Sequence, residues 1–476
     1  MAATCDVIVV GAGPAGAEAA MECARHGLDV VLIDEAPDAG GQVYRATPKG
    51  FRTQGPREPE AEIGDDLRKR LADSSVRCRF DTLLWSIAPG YRADLLGPDG
   101  PSSEEAPIVV IANGARERVV PFPGWTLPGV IGLAGATVML KSQKVLPGRQ
   151  TLVAGAGPLL LAVATTLRKA GGEVAGVIDL ASRREWLATV PATISRPDLL
   201  ARGIGWTSRL TLAGVPMRYR QAIRRIEQAE AGKLRAFVGP VYATGAPVAG
   251  TVREFVVDAV AVGNGLAPAS EVTRLLRAEH VYDTVQKAWV PQLDEDFRTS
   301  LPGLFVVGDG AGISGAAAAA IDGRRVGLSI AFDADRLSAD NYRAQKRTLS
   351  TGAKKARRFG QAMARLMAPR SGQIAAIAAD AVVCRCEDVT RAELDAAVAD
   401  GATSPNQVKA WTRCGMGPCQ GRTCGDIASA LAAAALGQEA PPAPMTGRSP
   451  LRPLPLGVLA GDIDYDDLEL PPPAPL

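Results

Sequence analysis

The sequence predicts an α/β chain built from two dinucleotide-binding folds and followed by a small helical domain. Three observations carry this expectation. A strand–glycine turn–helix–strand–acid segment begins near Asp6, a second copy begins at Thr151, and five of the eight cysteines lie between Cys384 and Cys424. At 476 residues the chain is too long for one hydrophobic core, so several domains are expected. With 47% apolar and 22% charged residues the composition is that of a globular protein, and a net charge of +2 gives no reason to expect nucleic acid. No apolar run is long enough to span a bilayer, and the opening "MAATCDVIVVG" lacks the basic region of a signal peptide. Cys5, Cys23 and Cys78 are isolated, which excludes a disulfide framework and points to a reducing, cytoplasmic setting with thiols free for a metal. The only histidines are His26, at the expected end of a helix, and His280; both read as structural, which argues against a histidine base.

The first element is "CDVIVVGAGPAGAEAAMECARHGLDVVLIDE". A buried strand (Asp6–Val10) enters a turn holding Gly11, Gly13 and Gly16, and a second strand ends at Asp34. Gly11 permits the tight turn, Gly13 lets the backbone approach a pyrophosphate, and Gly16 lets the helix pack on the strand. The diphosphate then lies on the helix N-terminus, and Asp34 accepts from a ribose hydroxyl. By itself the turn suits FAD or NAD.

Three distant segments separate these two. "GGQVYR" (Gly40–Arg45) is a glycine loop after the second strand, and "VVIANGARE" (Val109–Glu117) is a strand entering a small-residue turn. "TSLPGLFVVGDGAGISGAAAAAIDG" (Thr299–Gly323) is a strand ending in Gly308-Asp309 before a small-residue helix. Together these resemble the flavin-specific elements of glutathione-reductase-like flavoproteins, and the resemblance implies FAD. It implies that Asp309 reaches the ribityl–phosphate region and that the helix opening with Ala316 and Ala317 points its N-terminus at the flavin ring. The implied contacts are Gly11, Gly13, Pro14, Ala15, Gly16, Asp34, Glu35, Gly41, Gln42, Arg45, Leu84, Ala112, Asn113, Gly114, Gly308, Asp309, Ala316 and Ala317.

The second copy, "TLVAGAGPLLLAVATTLRKAGGEVAGVID" (Thr151–Asp179), keeps Gly155, Gly157 and the terminal Asp179. "VVDAVAVGNGLAP" (Val256–Pro268) returns to it later. The third glycine position, however, is Leu160, which pushes the helix off the strand or fills the space beside a pyrophosphate. Two readings stand: an NAD(P)H site, or a domain kept for packing, and the leucine favours the second. A nucleotide such as NAD or ATP held without hydride transfer is compatible with either. No Cys-x-x-Cys pair lies between the two nucleotide segments, so disulfide-reductase chemistry is not expected.

The cysteines stand in "VVCRCEDVT" and "TRCGMGPCQGRTCG". Between them Thr390 with Glu393 and Ser404-Pro405 with Gln407 read as helix starts, Gly421 as the opening of a last helix and Gly437 as its stop. Four thiolates on so small a helical unit suit zinc or a [2Fe–2S] cluster. Cys384-Arg-Cys386 is tighter than the usual zinc pair. The pattern resembles the bacterioferritin-associated-ferredoxin-like [2Fe–2S] domain, with 32 residues between Cys386 and Cys419 and four between Cys419 and Cys424. The resemblance implies Cys384, Cys386, Cys419 and Cys424 as ligands, with Cys414 a buried bystander.

The order of parts looks like the larger flavoprotein subunit of heteromeric amine and amino-acid dehydrogenases. These include octopine/nopaline oxidases, D-hydroxyproline dehydrogenase, hydrogen cyanide synthase and, more distantly, sarcosine oxidase. That resemblance implies an FAD- and [2Fe–2S]-containing electron-transfer subunit. Its partners would be a D-amino-acid-oxidase-like flavoprotein subunit that oxidises the substrate and, in some members, a small ferredoxin-like subunit. The alternative is a stand-alone NAD(P)H-dependent ferredoxin or quinone reductase. The implied domains are a discontinuous FAD domain (1–125 and 288–345), a second nucleotide domain (145–287), a basic linker (346–378), the cysteine domain (379–437) and a proline-rich tail (438–476). From Asn341 to Ala379 there is no Asp or Glu, and "KKARRFGQAMARLMAPR" (Lys354–Arg370) sets Phe359, Met363, Leu366 and Met367 on one side. This is a linking helix with a solvated basic face, or a docking face for an acidic partner or anionic lipid. The tail is expected to lie on this subunit or on a neighbour.

Overall fold

The computed structural model describes residues 3–47, 59–194 and 196–460. Its first sheet is parallel throughout, in the order Leu304–Val306, Ile108–Ile111, Val7–Val10, Val30–Ile33, Arg77–Arg79. Val7–Val10 and Val30–Ile33 are buried at every position, because helices cover one face and the antiparallel strands Leu83–Ile87 and Arg92–Gly97 pack on the other, leaving no polar side to the pleat. The second sheet has the same parallel form: Val130–Gly132, Ala259–Gly263, Gln150–Gly155, Glu173–Asp179, Met217–Tyr219. Each fold also carries a three-stranded antiparallel meander before its returning strand: Leu83–Ile87, Arg92–Gly97, Gly100–Glu105 in the first, and Gln221–Gln228, Leu234–Pro240, Arg253–Val257 in the second. The outer strand of the first sheet, Leu304–Val306, comes only after the whole second fold, so the chain leaves the first unit and returns to complete it.

Seven helices matter for the site: α1 (Pro14–Arg25), α2 (Leu159–Lys169), α3 (Ala316–Asp333), α4 (Ala339–Met367), α5 (Arg391–Ala399), α6 (Pro405–Thr412) and α7 (Gly425–Ala435). α1 and α3 lie backbone to backbone: a side chain at Gly323 would collide with the Ala15 carbonyl. α4 is 29 residues, roughly 44 Å long at 1.5 Å per residue. Ser338 caps it, and Tyr342 stacks on Phe332 of α3 with ring centroids 4.6 Å apart. The basic stretch is therefore the far half of one continuous helix, with Met363 and Leu366 buried and Lys354 and Arg358 exposed.

Leu160 is 1% exposed and belongs to the core of the second fold with Leu133, Val153 and Val163. Its side chain is packed into that core rather than open to solvent at the turn. α7 begins at Gly425 rather than Gly421, because Gly421 has φ +74° and turns the chain before Cys424 takes the N-cap. Thr390 and Glu393 form the reciprocal capping box. Ser404 accepts from Gln407 N–H, whereas the Gln407 side chain turns to Thr403. The cysteine domain has its own apolar core, including Val383, Leu394, Val408, Ile427 and Leu431.

The tail lies on its own chain as far as Arg452, beyond which the short helix Leu456–Ala460 buries no residue. Met445 is buried, Leu451 N–H donates to the Trp85 carbonyl at 2.7 Å, and Arg452 pairs with Glu35 at 3.2 Å. The closing "LPPPAPL" lies outside the described residues. No described helix is long and apolar enough to cross a membrane.

Candidate functional site

The first glycine turn and the start of α3 form one cleft. Gly11 has φ +102° and Gly308 φ +72°, and a Cβ on Gly308 would stand 2.9 Å from that of Ala15. Neither α1 nor α3 has a side-chain N-cap, since Gly13 and Gly315 occupy those positions, so both helices open with free N–H groups; Ala15 at the start of α1 lies against Gly323, about two turns into α3. Asp34 accepts from Ala12 N–H at 2.5 Å and from Ala36 N–H at 2.7 Å, so its first task is to hold the turn. Burial raises the Asp34 carboxyl, against the pull of those two donors. Asp309 likewise fixes its loop, accepting from Ser314 and Gly315 N–H at 2.8 and 2.9 Å, with burial again raising it.

The other expected contacts are distributed around this cleft. Gly41 packs on Gly13, and Gln42 accepts from Arg45 at 2.6 Å. Ala112, Asn113 and Gly114 follow the strand Ile108–Ile111, and the buried Asn113 Oδ1 has no partner among the described residues. Pro14, Gly16, Ala316 and Ala317 are in the first turns of α1 and α3. Glu35 is held by the tail through Arg452, and Leu84 sits in the core behind the sheet. Two uncapped helix N-termini, a backbone cradle and an orphaned acceptor suit a diphosphate-linked flavin, so the cleft fits FAD.

The second turn does not fit a dinucleotide in the same way. A Cβ on Gly157 would collide with Cγ and Sδ of Met367, the last residue of α4, and Met367 also packs on Gly265. Gly157 is where the backbone of such a turn meets a pyrophosphate; here the thioether of Met367 takes that side. Asp179 is 5% exposed and accepts from Trp186 Nε1 at 2.6 Å and Ala181 N–H at 2.8 Å. Beside the turn an apolar cavity of about 260 Å³ remains, lined by Leu133, Leu159, Trp206, Met367 and Glu117.

Glu117 accepts from Ala134 N–H at 3.1 Å, at the start of the short helix Leu133–Val138. Burial outweighs the donors of that helix and lifts its carboxyl from 4.5 to about 7. A raised acid stabilises the fold below its unfolded pKa, and that contribution is lost as pH rises through the folded value. The unfolding free energy of the native chain is therefore expected to fall by about 3 kcal/mol relative to Glu117→Gln between roughly pH 4.5 and 7. Denaturant titrations of both proteins at the two ends of this range check it.

The five clustered thiols fall into an inner triple and an outer pair. The sulfurs of Cys384, Cys414 and Cys424 lie within 4.8 Å of one another, and all three residues are buried. The Cys384 sulfur accepts from the Cys414 and Cys424 thiols and from Gly415 N–H, which draws it down to about 2; Cys414 is pushed up to about 12 and Cys424 higher still. Cys386, exposed, faces Cys419 and accepts from its N–H. Cys414, expected as a bystander, is buried and stands 3.9 Å from Cys424, inside the group. A triple and a pair of thiols suit a two-iron cluster, which takes two thiolates at each end.

The cysteine domain is fastened to the strand Ala115–Glu117, which follows the cleft residues Ala112–Gly114 and pairs with Leu266–Pro268. Arg116, on the strand Ala115–Glu117 just beyond Asn113 and Gly114, holds Asp426 of α7 in a two-pronged pair at 3.0–3.2 Å, and both side chains are largely covered. Trp125 Nε1 donates to the Val382 carbonyl at 2.6 Å, two residues before Cys384. His280 is held through both ring nitrogens, by Thr273 Oγ1 and the Ala278 carbonyl, as a structural histidine would be.

Fold and cleft define an FAD-dependent oxidoreductase with two dinucleotide-type folds. The sequence matches the Pyridine nucleotide-disulphide oxidoreductase family over residues 5–323 and the Sarcosine oxidase A3 domain over residues 378–462. It is 32% identical to the opine oxidase A-subunit of Agrobacterium tumefaciens, covering 96% of this chain and 91% of that protein. It is also 32% identical to the HcnB component of hydrogen cyanide synthase from Pseudomonas aeruginosa, over 88% and 90% of the two chains. The chain belongs to this family, in its branch of larger subunits of the heteromeric amine oxidase type. Among solved structures it shares the fold of an L-proline dehydrogenase from P. horikoshii, with a TM-score of 0.69 over 96% of this chain and 80% of that one, at 20% identity.

Proposed function

We propose that this chain is the FAD- and [2Fe–2S]-containing electron-transfer subunit of a multi-subunit amine or amino-acid dehydrogenase of the opine, hydroxyproline or glycine type. A partner flavoprotein subunit, D-amino-acid-oxidase-like, oxidises the substrate and passes the electrons on; a small ferredoxin-like subunit is a further partner. The observation that carries this reading is the pairing of a thiol cluster, tied to the strand Ala115–Glu117 through Arg116 and Asp426, with a second nucleotide turn covered by Met367. Such a chain has the parts to move electrons, while Met367 covers the turn at which a hydride donor would dock.

The residues divide the work. The N-termini of α1 and α3 bind and orient the anionic and electron-rich parts of the flavin nucleotide through Gly13–Ala15 and Gly315–Ala317. Asp34 and Asp309 keep those loops in shape. Cys384 and Cys424 from the inner group, with Cys386 and Cys419 from the outer pair, would hold the cluster, and Cys414 backs them. Bound together, these groups supply a two-electron carrier beside a one-electron carrier; the protein sets their separation, burial and field.

The test is anaerobic purification with iron, sulfide and flavin analysis, followed by mixing with NADH or NADPH. Iron and acid-labile sulfide in equal amounts, a flavin that stays oxidised with either nucleotide, and a second flavoprotein chain retained from the native source are expected. Rapid bleaching by NAD(P)H would favour the stand-alone reductase, and iron-free protein would end this proposal.

A further inference from the structure

Lys409 is a lysine with no business in an apolar interior unless an anion is there to meet it. It lies on α6 and is 9% exposed. Its Nζ donates to the Thr446 carbonyl at 3.0 Å, and among the described residues no carboxylate pairs with it. Its charged neighbours are of the wrong sign: burial, then Arg448 and Arg274, pull its pKa down, and the group that acts in the opposite direction is Cys424. Arg274 is itself turned inward, donating to the Ser270 and Met445 carbonyls. Burying an ammonium without a counter-charge is costly. Thr446 supplies one hydrogen bond but no charge. The remaining partner is the sulfur group: Val408, next to Lys409, shares one apolar core with Cys384, Cys414 and Cys424, and Met445, next to Thr446, packs on Gly415, Gly421 and Gly425 around those sulfurs.

We propose that Lys409 is the fixed counter-ion of the cysteine group and raises the reduction potential of the iron–sulfur centre held there. This rests on the [2Fe–2S] reading above. Four thiolates around two ferric and two sulfide ions are net negative. One electron added, with no proton or other atom moving, makes them more negative by one charge. A nearby cation that cannot leave stabilises the reduced form more than the oxidised one. In surroundings of effective dielectric constant about 20, one such charge is worth roughly tenfold in the constant for electron uptake. For a one-electron couple that is about 59 mV.

Two variants separate charge from mere fastening of the tail. Lys409→Gln keeps a donor for the Thr446 carbonyl and removes the charge; Lys409→Arg keeps the charge. Full-length proteins, purified anaerobically, are titrated with a reductant in the presence of mediator dyes, and the cluster is followed by its paramagnetic signal and the flavin by absorbance. Lys409→Gln is expected to shift the cluster about tenfold toward the oxidised form and to leave the flavin where it was, with Lys409→Arg close to the native protein. If Lys409→Gln fails to retain iron while Lys409→Arg retains it, the requirement for the charge stands. A Lys409→Gln protein with full iron content and the native potential overturns the proposal, and leaves Lys409 as a clamp for the tail. A native protein without iron would instead remove the cluster reading, and this inference with it.

Discussion

Cys384→Ala is expected to leave the protein without bound iron and without visible absorbance beyond that of the flavin. Cys384 is 1% exposed and is the sulfur toward which the Cys414 and Cys424 thiols and the Gly415 N–H all turn. Removing it takes away the one site where negative charge is already stabilised, and ligands must be deprotonated to bind a metal. Cys414→Ala is the informative companion. Cys414 is buried in the same group, but a two-iron cluster needs only two sulfurs from it. With Cys384 and Cys424 as those two, Cys414→Ala keeps iron and sulfide in equal amounts, at some cost in stability for the lost packing. If instead Cys414→Ala is free of iron and Cys386→Ala keeps its iron, the ligand set is the inner triple with one outer thiol. Iron analysis and the paramagnetic spectrum of the three variants decide between these.

How much of this was legible in the sequence depends on how far apart the contacting residues are. The first nucleotide fold was legible because its logic is local: Val7–Val10, Gly11–Gly16 and Asp34 are neighbours in the chain and in space. The second fold was legible as a repeat, but its state was not. Leu160 announced a departure, and the structure puts that leucine in the core. What covers the turn is Met367, at the end of a helix that starts in the other fold, and only its apolar spacing with Met363 and Leu366 hinted that it packs on anything. The cysteines were legible as a group, whereas the division into a triple and a pair depends on how Cys414 folds back on Cys424. Arg116, Asp426 and Lys409 carried no signal, since charged residues on amphipathic elements ordinarily face water. The tail was expected to lie on something; its composition could not say that Arg452 would reach Glu35 beside the first fold.

Gly16→Ala is expected to cost the protein its flavin and most of its yield of folded chain. A Cβ at this position would collide with the carbonyl oxygen of Gly11 and press on Ala112. Both obstacles are fixed: Gly11 is pinned by its N–H bond to the Ile33 carbonyl at 2.7 Å, and Ala112 N–H is bonded to the Val10 carbonyl at 2.8 Å. No flexible side chain can give way, so α1 must move outward, away from Ala39 and from Gly323 of α3, against which it is packed without clearance. Overpacking of this kind costs about 1–3 kcal/mol where a core can adjust, and more where only backbone stands in the way. The second fold gives the matching control. There Leu160 stands in the place of the third glycine, with its side chain buried among Leu133, Val153 and Val163. Leu160→Ala should therefore lose about 2–5 kcal/mol through the cavity it leaves, yet keep the flavin. Flavin-to-protein ratios and thermal unfolding of the two variants distinguish a glycine that the cofactor cleft requires from a leucine that only packing requires. Equal loss of flavin in both would mean that the two folds are coupled through α4, which packs on Ser314 at Gly360 and on Gly157 at Met367.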